Sequence, residues 1–513
     1  MPQFSRRTFL QGTTAVALAS SFGVKAIAAP KRGGHMRVAV PTGSMTDSLD
    51  PTSTPVAWGF MNLATSRNTL VGTDHDGNLI PKLAESWEPS GDLKTWVLNL
   101  RKGVTFHSGK TMTAEDVVAS LNLHRGEKSI SPAKSIMSSV SDIKTDGANR
   151  VVISLQSPNV GFVNLLRDDF LVVVPSKDGE GDRNTSDGTG PYVLESWEAG
   201  RNLRYKRYEN FWDLNNYGFF DSAEVVVIQD SAARMNALRS GQVDLVSTVD
   251  LKTVSMLKRV PKIRVDDIPS GMYYGLPMLT DIAPFNDNNV RLALKYAFNR
   301  QEAVNKILLG HGTVGNDHPI FTNDKFNDPT IPQREYDPDK VRFYLDKAGL
   351  KSLEIPLNVS EAGFPGAVDT AQLYASSAAA AGIKINVTRE PDDDYYERVW
   401  LKKPFCAAFW NQAITNDSRF TEAFLPDAPW NETRYNNPHF TELVVKARST
   451  LDEGARAKIY HELQRIIHDD GGLLNPMFGN YVWAMKDNVK RPEKVSTLGD
   501  LDGYECIARW WME

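Results

Sequence analysis

Several side-chain spacings in this chain approach those of known chemistries, and each misses at a defined position. His461-Glu-Leu-Gln-Arg465 begins like the HExxH of a zinc hydrolase, but Arg465 stands where the second imidazole must be. His461 and His468 share a predicted helix face two turns apart, too far for one metal without outside ligands. His311 and His318 lie in a Gly-rich loop without ligand spacing. Asp74, Asp76, Asn78 and Glu85 match positions of a calcium loop, yet Leu79 stands where that loop needs Gly, and Pro81 interrupts it. A hairpin turn is the better account of that run. Gly188-Thr-Gly-Pro lacks both the spacing and the Lys-Ser/Thr of a phosphate loop and reads as a backbone turn. The acids Asp392-Asp-Asp394 precede a predicted helix, where they favour the positive end of its dipole. No GxSxG, CxxC or Walker motif occurs, and no nucleophile is paired with a base. The expectation is a protein that is not an enzyme and uses no cofactor and no metal.

What remains is a stretch suited to binding. Phe405-Cys-Ala-Ala-Phe-Trp-Asn411 is a short apolar run after Pro404 and reads as a buried strand. It is predicted to be the third strand of a strand–helix–strand–helix–strand series, after strands 353–359 and 383–389 and helices 366–381 and 393–401. Such alternation makes a parallel sheet with right-handed crossovers. Ligands of open sheets of this kind bind beyond the carboxyl ends of the strands. Trp410, Asn411 and Asp417 fall at or past such an end and are taken as one wall of a solute pocket. Glu361 and Phe364, in the loop after the first strand, face the same crevice.

The elements that position this wall come from a long chain. With 513 residues, two or three domains are expected. Hydrophobic content of 41% and charged content of 24% are ordinary for a soluble globular protein. Residues 1–28 are set apart. Ser5-Arg-Arg-Thr-Phe-Leu10 is a twin-arginine pattern, a short apolar region follows, and Ala26-Ile-Ala28 is a small-residue cleavage site. This reads as a twin-arginine export signal and a mature protein free in the periplasm. Losing Arg6, Arg7 and Lys25 takes the formal charge from −5 to −8. That balance, without a basic run, argues against nucleic acid. Cys406 and Cys506 could pair in an oxidising compartment, or remain buried thiols.

Taken in order, Met36-Arg-Val-Ala-Val40 reads as a first strand, 60–70 as a helix with Trp58 just ahead, and Thr95-Trp-Val-Leu-Asn-Leu100 as an alternating strand. Thr113-Ala-Glu-Asp116 is a capping box. The LAESW, LRKGVTFHSGK and TAEDVVASL segments within 79–123 resemble the signature of family 5 extracellular solute-binding proteins, the peptide, nickel and opine receptors of bacterial ABC importers. Later segments agree: Gly188-Thr-Gly-Pro-Tyr192, Ala237-Leu-Arg-Ser-Gly-Gln-Val-Asp-Leu245, Pro284-Phe-Asn-Asp287 with Val290-Arg-Leu-Ala-Leu294 and Arg300, and Asp337-Pro338 to Gly349. The physical roles of these motifs are turns, caps and solvated or ion-paired helix residues rather than ligand contacts.

The resemblance implies an α/β, bilobed periplasmic binding protein of type II, cluster C, with an inserted subdomain and two hinge crossings. It divides the chain into a first lobe (29–73, 176–276 and 477–513), an insert (74–175) and a second lobe (277–476). Pro269, Gly271, Gly275, Pro277, Gly471, Gly472, Pro476 and Gly479 supply breaks at the crossings. In peptide-binding relatives an Asp shortly after the tryptophan strand holds the ligand ammonium, and Asp417 is the matching residue. Met272, Tyr273 and Tyr274 lie where the family runs an extended strand along the ligand, and Trp58 is the first-lobe candidate. Dipeptide-binding relatives also place an Arg near the 360s loop. None is present, and Arg419 or Arg389 stands as a substitute. The implied partners are a small peptide-like solute and an inner-membrane permease, met by a monomer that closes around the solute.

Overall fold

The computed structural model describes residues 30–53, 56–74 and 77–513. The export segment, and Asp76 of the calcium-loop reading, lie outside the described residues. Around the latter, Val71–Thr73 and Leu79–Pro81 pair antiparallel, and Asp74 accepts from the Asn78 backbone N–H at 2.8 Å.

Two long strands organise the molecule. Ile263–Pro277 and Leu473–Lys486 pair antiparallel from Ile263–Lys486 to Pro277–Leu473, with irregularities between Pro269 and Met272 and between Tyr274 and Leu276. They belong to a nine-stranded mixed sheet. Towards one end it contains His35–Val40, parallel to Ser222–Val227 and Leu245–Val246. At the other end Ala408–Trp410 pairs antiparallel with Tyr273–Gly275. Apolar cores lie on both sides, making two lobes. One includes Trp58, Tyr205, Trp483 and Trp510, and the other Leu294, Leu357, Phe364 and Phe405. A further core, formed within 70–173, lies under a four-stranded antiparallel sheet that includes Thr95–Leu100 and Arg150–Leu155.

Local chemistry explains most boundaries. Asp116 accepts from the Thr113 backbone N–H at 2.8 Å and closes the capping box of helix Ala114–Asn122. Asp337 caps helix Pro338–Lys347, with Pro338 at its first position and Gly349 at φ 73° beyond its end. Leu353–Val359 and Ile383–Arg389 are the expected parallel pair. The third strand differs. Cys406 makes one parallel bridge to Asn358, and the chain then turns to pair with the long strand instead. Phe405 and Ala407 are still committed to the second-lobe core, while 408–410 is carried to the cavity. The helix expected over 393–401 shrinks to Tyr395–Arg398, between left-handed residues Asp394 and Leu401. The first helix runs Ala57–Ser66, so Trp58 lies within it. The expected Gly and Pro breaks lie within or beside strands. Gly479 has no room for a Cβ, which would come within 2.8 Å of the Tyr274 ring.

Charged motif residues fasten the crossings. Asp244 takes Arg37 at 3.1 Å and Lys486 at 2.6 Å, tying three strands together. Arg300 and Arg334 converge on fully buried Asp317 at 2.6 and 2.8 Å, and Asp317 also accepts from the Asn475 N–H of the second crossing. Burial alone would raise the Asp317 pKa, but the two guanidinium groups hold it below the usual carboxylate range. Removing one member of such a cluster leaves a buried charge uncompensated. Asp317→Ala should therefore lower unfolding stability by about 3–5 kcal/mol, measured by urea denaturation.

Candidate functional site

A cavity of about 660 Å³ lies where helix Ala57–Ser66, the insert, the 409–422 segment and the C-terminal 496–505 segment meet. Its second-lobe wall is aromatic, formed by Tyr396, Trp400, Phe409, Trp410 and Trp430. Trp400 and Trp410 each donate an indole N–H to Glu432, at 2.6 and 2.9 Å. Burial pushes the Glu432 carboxyl up to about 7, against the pull of those two donors. Arg419 lies over the Trp410 ring at 4.2 Å and donates to the Asn411 carbonyl at 2.5 Å.

The structure distributes the sequence candidates unevenly. Trp410, Asn411 and Arg419 line the cavity. Asp417, on helix Asn416–Phe424, instead faces Arg448 at 3.0 Å. Burial raises its pKa and Arg448 pulls the other way. Tyr273 is fully buried in the second lobe, and Tyr274 stacks on equally buried Phe364 at 4.8 Å. Met272 packs between the cores of the two lobes. Trp58 fills the first-lobe core and donates to Asn202 O at 3.3 Å. Exposed Glu361 accepts from the Gly366 N–H at 2.7 Å, at the start of helix Ala367–Ala379. None of these lies among the cavity-lining side chains. Cys406 and Cys506 are buried free thiols.

The charged wall was not foreseen. Arg167, Asp168 and Asp169 follow the short helix Phe162–Leu165 and turn into the cavity. Glu422 approaches from helix Asn416–Phe424 of the second lobe. Arg167 reaches across to the Ile414 carbonyl, and the Val160 N–H donates to the Arg448 carbonyl at 2.8 Å, so the two sides of the gap are hydrogen-bonded together. Asp168 and Asp169 are half-buried and line the cavity. Desolvation raises them to about 7 and about 8, with Glu422 adding to the first and Asp168 and Glu505 to the second. Lys82 is paired with Glu505 and Arg509 with Asp502, so those charges cancel locally. The sequence signal available was the charged Arg167-Asp-Asp169 triplet set between apolar runs 162–166 and 170–174. Among the described residues, no group of three or more His, Cys, Asp or Glu could hold a metal ion, and no helix is long and apolar enough to cross a membrane.

A cavity of this size with aromatic faces and both signs of charge suits a small organic solute. The comparisons agree. The family model described as bacterial extracellular solute-binding proteins, family 5, matches residues 78–432. Heme-binding protein A of Haemophilus influenzae is 26% identical over 423 residues, covering 76% of this chain and 77% of that protein. The probable D,D-dipeptide-binding periplasmic protein DdpA of Escherichia coli is 26% identical over 440 residues, covering 82% of each. Among solved structures, the binding protein AgaA of A. tumefaciens R10, in complex with agropinic acid, superposes with a TM-score of 0.79 at 25% identity, over 94% of this chain and 99% of that one.

A carboxyl whose pKa is higher folded than unfolded binds protons in the folded state first, so stability is lost as pH rises from its unfolded value, near 4, through its folded value. For Asp168 and Asp169, which face Arg167, Lys82, Glu422 and Glu505, that window extends to about 8. The solute-free protein should melt at lower temperature at pH 8.5 than at pH 6. Asp169→Asn should reduce the difference in a calorimetric series.

Proposed function

The chain belongs to the bacterial extracellular solute-binding proteins of family 5, and from that we propose that it is the receptor of an ABC importer. It captures a peptide or peptide-like amine in the gap between its lobes and delivers it to an inner-membrane permease. The observation that carries this reading is the cavity itself, whose lining comes from both sides of a hydrogen-bonded gap and combines aromatic faces with acids. Ligand that touches both sides only when they meet favours the closed form. The chain acts as a monomer in the periplasm, exported by the twin-arginine route, and leaves its solute chemically unchanged. Its first lobe is 29–73, 176–276 and 477–513, its insert 74–175 and its second lobe 277–476. The likeness to an agropinic acid complex supports a second reading, the same receptor role for an opine, a sugar conjugate or a nickel chelate.

Protein purified natively from the periplasm should release, on denaturation, a small amine-bearing solute identifiable by mass spectrometry. Returned to stripped protein at a hundred times its Kd, that solute should add about 2.7 kcal/mol of stability. Trp410→Ala should weaken it at least tenfold, or about 1.4 kcal/mol, by titration calorimetry. Recovery of an opine or chelate instead would establish the second reading, and turnover of the solute would make the protein an enzyme.

A further inference from the structure

The two long strands are not paired continuously. Their ladder passes from Pro269–Asn480 directly to Met272–Gly479, and Ser270 and Gly271 stand outside it. A backbone N–H stranded in such a place needs another acceptor, because leaving it unpaired costs as much as a lost hydrogen bond. Ser270 is fully buried, and its hydroxyl donates to the Gly479 carbonyl at 2.7 Å and accepts from the Met272 N–H at 3.2 Å. The Gly271 N–H finds its partner 141 residues along the chain, donating to Gln412 Oε1 at 2.9 Å.

Gln412 stands where three parts of the molecule meet. It comes two residues after strand Ala408–Trp410, which leads out of the second-lobe core through Phe405 and Ala407, and it lines the cavity. The same Oε1 accepts from the Thr497 hydroxyl at 2.9 Å. Thr497 belongs to the C-terminal segment, whose Val495 and Leu501 pack in the first-lobe core. Two residues beyond Gln412, the Ile414 carbonyl takes Arg167 of the insert.

The fit around this oxygen is close. A Cβ on Gly271 would come within 2.9 Å of Gln412 Cγ and 3.0 Å of Gln412 Oε1. The φ of Gly271 lies outside the left-handed region, so the approach of Gln412, and not backbone conformation, calls for glycine there. An amide oxygen has two lone pairs, and here both are used. The oxygen keeps its two donors only while the strand bend, the first lobe and the cavity wall hold these positions. Parting the lobes carries Gln412 away from Thr497.

We infer that Gln412 is the positioning residue of closure, its amide oxygen fixing the bend of the long strands and fastening the cavity wall to the first lobe. This rests on the receptor reading above and adds the residue that sets the balance between open and closed forms. The role belongs to the acceptor oxygen, not to the bulk of the side chain. A solute resting against that wall meets the same side chain, so occupancy and closure are coupled through it.

The test is pulsed dipolar spectroscopy on stripped protein, with nitroxides at Lys206→Cys in the first lobe and Lys351→Cys in the second, both exposed positions; Cys406 and Cys506 are buried. The ratio of short to long separations should fall about fivefold in Gln412→Met, the loss expected for one net hydrogen bond. Thr497→Val should give part of that loss, and adding it to Gln412→Met should give no more than Gln412→Met alone. Gly271→Ala keeps both partners but pushes the side chain aside, and it should open the protein as Gln412→Met does. Gln412→Glu keeps the acceptor and should restore the wild-type ratio, a pattern that a general packing defect would not follow. The proposal is overturned if Gln412→Met and Gly271→Ala leave the wild-type ratio, or if Gln412→Glu opens the protein as far as Gln412→Met. A solute recovered from native protein alongside unchanged ratios would sink this proposal and leave the receptor reading standing. Ratios that shift as stated, with no solute recovered, would do the reverse.

Discussion

The pairing of Ile263–Pro277 with Leu473–Lys486 is the constraint on which the rest depends. These strands run from the core of one lobe into the core of the other, and their ladder is broken only between Pro269 and Met272 and between Tyr274 and Leu276. Backbone hydrogen bonds across buried strands cannot be given up cheaply. Any movement of one lobe against the other must therefore bend the pair where its register already shifts. The 408–410 strand pairs with Tyr273–Gly275, directly beside those irregularities, so that bending there falls next to the cavity.

Charge is arranged differently at the crossings and around the cavity. Buried ionic clusters elsewhere are complete: Asp317 with Arg300 and Arg334, and Asp244 with Arg37 and Lys486. They hold the crossings in place. Around the cavity Arg67 lies against the tightly packed Gly188–Gly190 turn, while Arg167 acts on neighbouring Asp168 and Asp169 and Arg419 on Glu422.

Much of the fold was legible in the sequence because it is set by local signals. The Thr113 capping box, the Asp337-Pro338 helix start and the alternation in strands 353–359 and 383–389 each specify their element within a few residues. The 405–410 run was read as one buried strand, but only 405–408 is buried, Phe409 is exposed, and the strand, Ala408–Trp410, takes a different partner, since period and composition do not reveal which neighbouring strand will take its hydrogen bonds. The cavity was only partly legible. Trp410 and Asn411 were found because they end one strand, and Arg419 because it stood as a substitute for the arginine missing from the 360s loop; all three line the cavity. Asp417 was singled out in the same way, but which cation stands opposite it depends on helix Pro438–Ser449, which carries Arg448 to it from far along the chain. Arg67, Asp168 and Glu422 come from three separate regions, and no linear pattern joins them.

The carboxyl of Glu432 has a consequence of another kind. It holds the indole N–H groups of Trp400 and Trp410 together, in a wall that also carries Trp430, and it changes protonation near neutrality. Indole emission is sensitive to a charge placed at its nitrogen. The protein therefore carries an unlabelled optical gauge in the cavity wall, one whose colour and brightness follow the proton on that acid.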